Sequence, residues 1–108
     1  VLGDSLQIAP LMPKSATMAN AQAKACAYAV AALIGERAPN PAPVLLNACY
    51  SWLSPTEVAH VASVHKYDPA ERTMKPVPGA GGLSPARSAA EAADAAAWER
   101  GIRADTWG

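Results

Sequence analysis

The stretch Val44-Leu45-Leu46-Asn47-Ala48-Cys49-Tyr50-Ser51-Trp52-Leu53 decides how this 108-residue chain is read. It is apolar, with Pro43 before it and Ser54-Pro55-Thr56-Glu57 after it. That is the pattern of a strand running into a turn. Val58 to Tyr67 has the same character, so the two strands form an antiparallel pair. On the second strand Val58, Ala62 and Val64 share one face, and Ala59 and Val61 the other. A strand that is apolar on both faces is expected to be covered on both. Asp68 to Arg72 reads as a turn. Thr73 to Val77 reads as a third short strand, held to an edge by Pro76.

Working upstream, Glu36 to Pro43 carries three prolines in alternation and forms a stiff connector. It divides the chain into residues 1–40 and 41–108. Before it, Ser15 or Thr17 caps a helix over residues 16–34, whose apolar face follows Ala19, Ala23, Cys26 or Ala27, Val30 and Leu33. Gly35 ends that helix. Val1-Leu2-Gly3-Asp4 reads as the end of a buried strand, and residues 5–15 as a loop carrying Pro10 and Pro13. A single strand end cannot make a sheet, so the chain is expected to be a piece of a larger protein. Downstream, residues 78–84 read as a glycine-rich loop. Ser84 as N-cap and Pro85 at the first helical position then start a helix over 85–104. Trp98 and Ile102 anchor it, and Glu99 and Arg103 pair on its solvent side. The expected class is α+β: a strand end and helix from a neighbouring domain, then a small antiparallel sheet and a C-terminal helix.

Lys and Arg total 9, Asp and Glu total 9, and the formal net charge is zero. This removes the electrostatic case for nucleic acid or an anionic membrane surface. No apolar run approaches the length of a membrane span. About a quarter of the residues are alanine, so the core is thin and is expected to lean on another domain or subunit. Cys26 and Cys49 match neither a zinc pattern nor a disulfide scaffold. A bridge between them is left open, although Cys26 fits a helix core face. His60 and His65 lie five apart on one strand and so point to opposite faces, which excludes a shared metal. Gly79-Ala80-Gly81-Gly82 precedes a helix but lacks the spacing and lysine of a phosphate loop. Trp52, Trp98 and Trp107 read as packing and interface anchors.

Gly3-Asp4, Met12-Pro13-Lys14-Ser15 and Asn20-x-Gln22, in that order, resemble the last flavin-binding segment of the disulfide-reductase-like flavoproteins. A narrower resemblance follows. Leu46-Asn47-x-Cys49-Tyr50-Ser51, Gly81-Gly82-x-Ser84-Pro85, Trp98 and Asp105-Thr106-Trp107-Gly108 look like the flavoprotein subunit of flavocytochrome c sulfide dehydrogenase. The similarity spans essentially the whole chain, as that subunit's C-terminal quarter.

The resemblance implies a periplasmic enzyme that oxidises sulfide to sulfur and passes electrons through FAD to a c-type cytochrome subunit carrying the haem. It makes residues 1–40 the tail of an FAD-binding domain and 41–108 an interface domain. It implies that Cys49 forms a flavin-adjacent disulfide with a cysteine outside this chain. It also implies that Gly3, Asp4, Pro13, Lys14, Ser15 and Trp98 lie at the cofactor. The dinucleotide fingerprint and the cysteine that tethers FAD are absent from these residues, so the chain alone is expected neither to turn over nor to bind FAD tightly. Where the family often has an aromatic, two residues beyond the serine of the Pro-Lys-Ser turn, this chain has Thr17. A different class of function, a docking or dimerisation module for a cytochrome or flavoprotein partner, is motivated by the thin core and the aromatics. A quinone-linked sulfide oxidase would carry a membrane-binding helix pair, for which the 85–104 helix is too polar.

Overall fold

The computed structural model describes residues 1–6, 9 and 11–108. Its elements are α1 (Ala16–Ile34), β1 (Val44–Trp52), β2 (Val58–Asp68), β3 (Thr73–Leu83) and α2 (Ala89–Trp107), preceded by a single 3-10 turn at Gly3–Ser5. The strands form one antiparallel sheet in the order β1-β2-β3. The chain therefore adopts the α+β class expected from its sequence.

Strand alternation puts Leu45, Asn47 and Cys49 on one face of β1 and Leu46, Ala48 and Tyr50 on the other. α1 covers the first face, where Met18, Met12 and Ala9 pack with Leu45, and Ala21, Ala25 and Met74 close around them. α2 crosses the second face, where Trp98 meets Tyr50. Its last turns reach α1, with Lys24 Nζ 2.6 Å from Asp105 Oδ2. Central strand β2 is thereby covered on both sides: Val58 on one face and His65 on the other are each 0% exposed.

Several expected details differ. Val1 and Leu2 are exposed and unpaired, and Gly3–Ser5 is a turn, so no strand end is present among the described residues. Nothing in the described chain offers Val1 a neighbouring strand. The expectation of a loop over residues 5–15 falls partly on Gln7, Ile8 and Pro10, which lie outside the described residues. The packed face of α1 is rotated from the one read off the sequence. Met18, Ala21 and Ala25 face the sheet, while Ala23, Cys26, Val30 and Leu33 are exposed. The reason is size: Met18 is the largest side chain on the helix's first turns that can fill the space above Leu45, and it sets the rotation.

α1 begins and ends as its sequence demands, with one substitution of roles. Ser15 is the N-cap and accepts a hydrogen bond from Met18 N. At the other end Glu36 N bonds Leu33 O and Arg37 N bonds Ala32 O, the paired closure of a Schellman motif. Its left-handed position falls on Glu36 (φ 53°) and not on Gly35 (φ −84°).

β3 runs beyond Val77 to Leu83, so the expected 78–84 loop is in part a strand. His65 pairs with Pro76 and Ser63 with Gly81, leaving residues 77–80 as a bulge on this edge. Gly81 makes the return possible. At φ +105° its backbone approaches β2 so closely that a Cβ would lie 2.3 Å from the Ala62 carbonyl oxygen. α2 starts four residues later than the Ser84-Pro85 pair suggested. Ser88, held extended by two backbone bonds with Val58, is the N-cap and accepts from Glu91 N. Glu99 and Arg103 pair as expected, at 3.0 Å.

Candidate functional site

Five residues singled out in the sequence come together at the start of α1. Gly3, Asp4, Pro13, Lys14 and Ser15 line a cavity of about 10 Å³, backed by Met18 and Gln22. That is room for a single water at most, so these residues form an edge rather than an enclosing pocket. Lys14 Nζ donates to the Asp4 backbone oxygen at 2.6 Å, and Gly3 N donates to Gln22 Oε1 at 2.7 Å. α1 has no acidic residue in its first turn. Its free N–H groups and Lys14 bring positive charge to this edge, beside the Asp4 carboxylate.

Cys49 is tied to the same helix start. Ser15 Oγ donates to Asn47 Oδ1 at 2.5 Å, and the Cys49 thiol donates to that same oxygen at 3.5 Å. Thr17 Oγ1 donates to the Ala48 carbonyl of β1 at 2.6 Å. Where the resemblance led to an aromatic ring, the chain thus uses a hydroxyl to fasten α1 to the sheet. Asn47 is 5% exposed. Neither Asn47 nor Gln22 was assigned a role from sequence. The signal was present for Asn47: alternation places it between Leu45 and Cys49 on a covered face, and a buried amide requires partners.

Trp98 stands apart from this group. Its ring centroid is 6.0 Å from that of Tyr50, which in turn lies 5.8 Å from His60. These rings occupy the face opposite Cys49. Beside them Ser84 Oγ donates to Glu91 Oε2 at 2.6 Å and sits 2.9 Å from His60 Nδ1, while Glu91 Oε2 is 3.1 Å from the same ring nitrogen. The Ser84 hydroxyl first, and His60 second, hold the Glu91 carboxyl below the usual carboxylate range. Serine and glutamate meet one nitrogen of the ring, not one on each side. The cluster therefore cannot relay a proton across the imidazole, and it latches α2 to the sheet.

His60 and His65 do point to opposite faces, and both ring nitrogens of His65 are buried without a hydrogen-bond partner among the described residues. The described residues contain no cluster of side chains able to hold a metal ion. Cys26 and Cys49 are both free, and Cys26 is exposed on α1 rather than part of its packed face. No helix among the described residues is long and apolar enough to cross a membrane.

None of the curated proteins matches the chain. Residues 41–107 match the family model described as "Flavocytochrome c sulphide dehydrogenase, flavin-binding". The matched span takes in the whole sheet, Cys49 and α2. The chain accordingly belongs to the flavin-binding family of flavocytochrome c sulfide dehydrogenase, a component of a flavoprotein oxidoreductase.

Proposed function

We propose that this chain supplies the cysteine side of a sulfide-oxidising FAD centre. In this reading residues 1–40 are the tail of the FAD-binding domain and residues 41–108 the interface domain that closes over it. The observation that carries it is the hydrogen-bonded run from Cys49 through Asn47 to Ser15, which joins the redox candidate to the edge lined by Gly3, Asp4, Pro13 and Lys14. That donor set fits one edge of a flavin. The start of α1 and Lys14 favour negative charge there, and the Asp4 carboxylate can accept from a ribityl hydroxyl. FAD, when bound, takes up two electrons from sulfur and releases them to a haem acceptor.

Cys49 is read as one half of a disulfide with a cysteine beyond these residues. Hydrosulfide attacks one sulfur: the disulfide bond breaks, a persulfide bond forms, and the second sulfur leaves as a thiolate with the electron pair. Re-forming the disulfide releases sulfur and a proton and delivers two electrons, so that overall HS⁻ gives S, H⁺ and two electrons. Trp98, tilted against Tyr50 on the other face of β1, is assigned to the cofactor surround by the resemblance alone. The electrons go to a c-type cytochrome subunit carrying the haem, and the enzyme works in the periplasm.

A second reading, a docking or dimerisation module, is favoured by one observation. Tyr28, Ile34, Leu83 and Trp107 are large apolar residues left at the surface. Cys49→Ser in the full-length flavoprotein separates the two. The redox reading expects sulfide-dependent cytochrome reduction to fall more than about a hundredfold. Unchanged turnover overturns it in favour of docking.

A further inference from the structure

We propose that Asn47 is a positioning residue for Cys49 and weights its thiol–disulfide equilibrium toward the thiol; this rests on the reading of Cys49 as a redox cysteine. Asn47 and Cys49 are two apart on β1, so their side chains share a face. Pairing with Ser63 and Val61 on β2 fixes both backbones. Asn47 Oδ1 has two acceptor sites: one takes the Ser15 hydroxyl and the other the Cys49 S–H. Ser15 is itself held in place, because its oxygen accepts from Met18 N at 3.1 Å. The amide oxygen therefore cannot turn from Cys49 without also losing its bond to the capping Ser15. At 5% exposure, water competes little for it.

The bond to Cys49 exists in only one redox state. Reduction of the disulfide consumes two electrons and two protons and gives two thiols, and the proton that arrives on Cys49 is the one aimed at Asn47 Oδ1. The disulfide has no such proton and leaves that acceptor site unused.

The test uses the full-length flavoprotein, equilibrated anaerobically in glutathione redox buffers. Reduced Cys49 is quantified by alkylation and mass spectrometry. Asn47→Leu removes the acceptor and is expected to lower the equilibrium constant for reduction about two- to five-fold, or about 10–20 mV toward negative potential. Asn47→Asp keeps an acceptor and adds negative charge, so it shifts the equilibrium the other way. A merely structural role would move both variants in the same direction; that result, or no shift in either, overturns the proposal. If Asn47→Leu does not fold, Asn47→Asp and Ser15→Ala carry the test. Asn47→Asp is expected to move toward the thiol and Ser15→Ala, which releases the amide oxygen from its second partner, toward the disulfide; a shift the opposite way in either, or none in both, overturns it. Cys49→Ser separates this proposal from the reading beneath it. Surviving turnover defeats the redox cysteine, whereas lost turnover with an unmoved equilibrium in the Asn47 variants defeats the role of Asn47 alone.

Discussion

The Ser15 hydroxyl donates to Asn47 Oδ1 across 2.5 Å, joining the cap of α1 to the strand that carries Cys49. Ser15→Ala removes two supports together, the cap on Met18 N and one partner of a buried amide. The expected loss is about 1–3 kcal/mol, measured by urea unfolding. Thr17→Val, which frees only the Ala48 carbonyl of an edge strand, is expected to cost less, about 1 kcal/mol. A Ser15→Ala effect no larger than that of Thr17→Val would show that the Asn47 contact contributes nothing.

Two glycines are expected to respond to alanine with opposite signs. Gly81→Ala drives a Cβ into the Ala62 carbonyl at a positive φ, which should destabilise by about 2 kcal/mol or more and loosen amide protection along β3. Gly101 lies inside α2 with open space around it. Gly101→Ala should therefore stabilise by about 1 kcal/mol.

The left-handed Glu36 predicts a stabilising change as well. Glu36→Gly keeps both bonds of the Schellman closure while relieving the backbone at φ 53°. A gain of about 0.5–1 kcal/mol is expected in thermal unfolding, and a loss would mean that the Glu36 side chain has a role of its own.

The Ser84–Glu91 contact sets a pH dependence. The Glu91 carboxyl is held below its ordinary value of 4.5, chiefly by the Ser84 hydroxyl. The unfolded chain therefore binds the proton first, and this part of the stability is complete above pH 4.5 and is lost as pH falls through the lower folded value. Urea midpoints of the wild type and Ser84→Ala should converge as the pH is lowered from 6 to 3. A constant gap across that range would remove Glu91 as the cause.

Much of this arrangement is legible in the sequence because it depends on local chemistry. Prolines and the Ser54–Glu57 turn delimit β1 and β2, and Ser15 and Gly35 delimit α1 to the residue. The misread parts are those that distant partners decide. Ser84 looked like a cap because Pro85 follows it, but pairing of Ser88 with Val58 moves the start of α2 and leaves Ser84 to His60 and Glu91. The bulge in β3 depends on how closely Gly81 approaches Ala62, which no local pattern encodes. On alanine-rich α1 many faces look alike, and only the contact of Met18 with Leu45 selects one. Within the site, the Pro13-Lys14-Ser15 and Cys49 blocks were visible as separate motifs. The side chain that joins them, Asn47, becomes apparent only once α1 is set against β1.

The central claim is that Cys49 is half of a redox disulfide, and peptide mapping of the full-length flavoprotein without reduction tests it most directly. In the resting protein the Cys49 peptide should be found joined to a second cysteine peptide, and brief anaerobic exposure to sulfide should make Cys49 open to alkylation. A Cys49 that alkylates freely in the resting, oxidised protein would contradict the account.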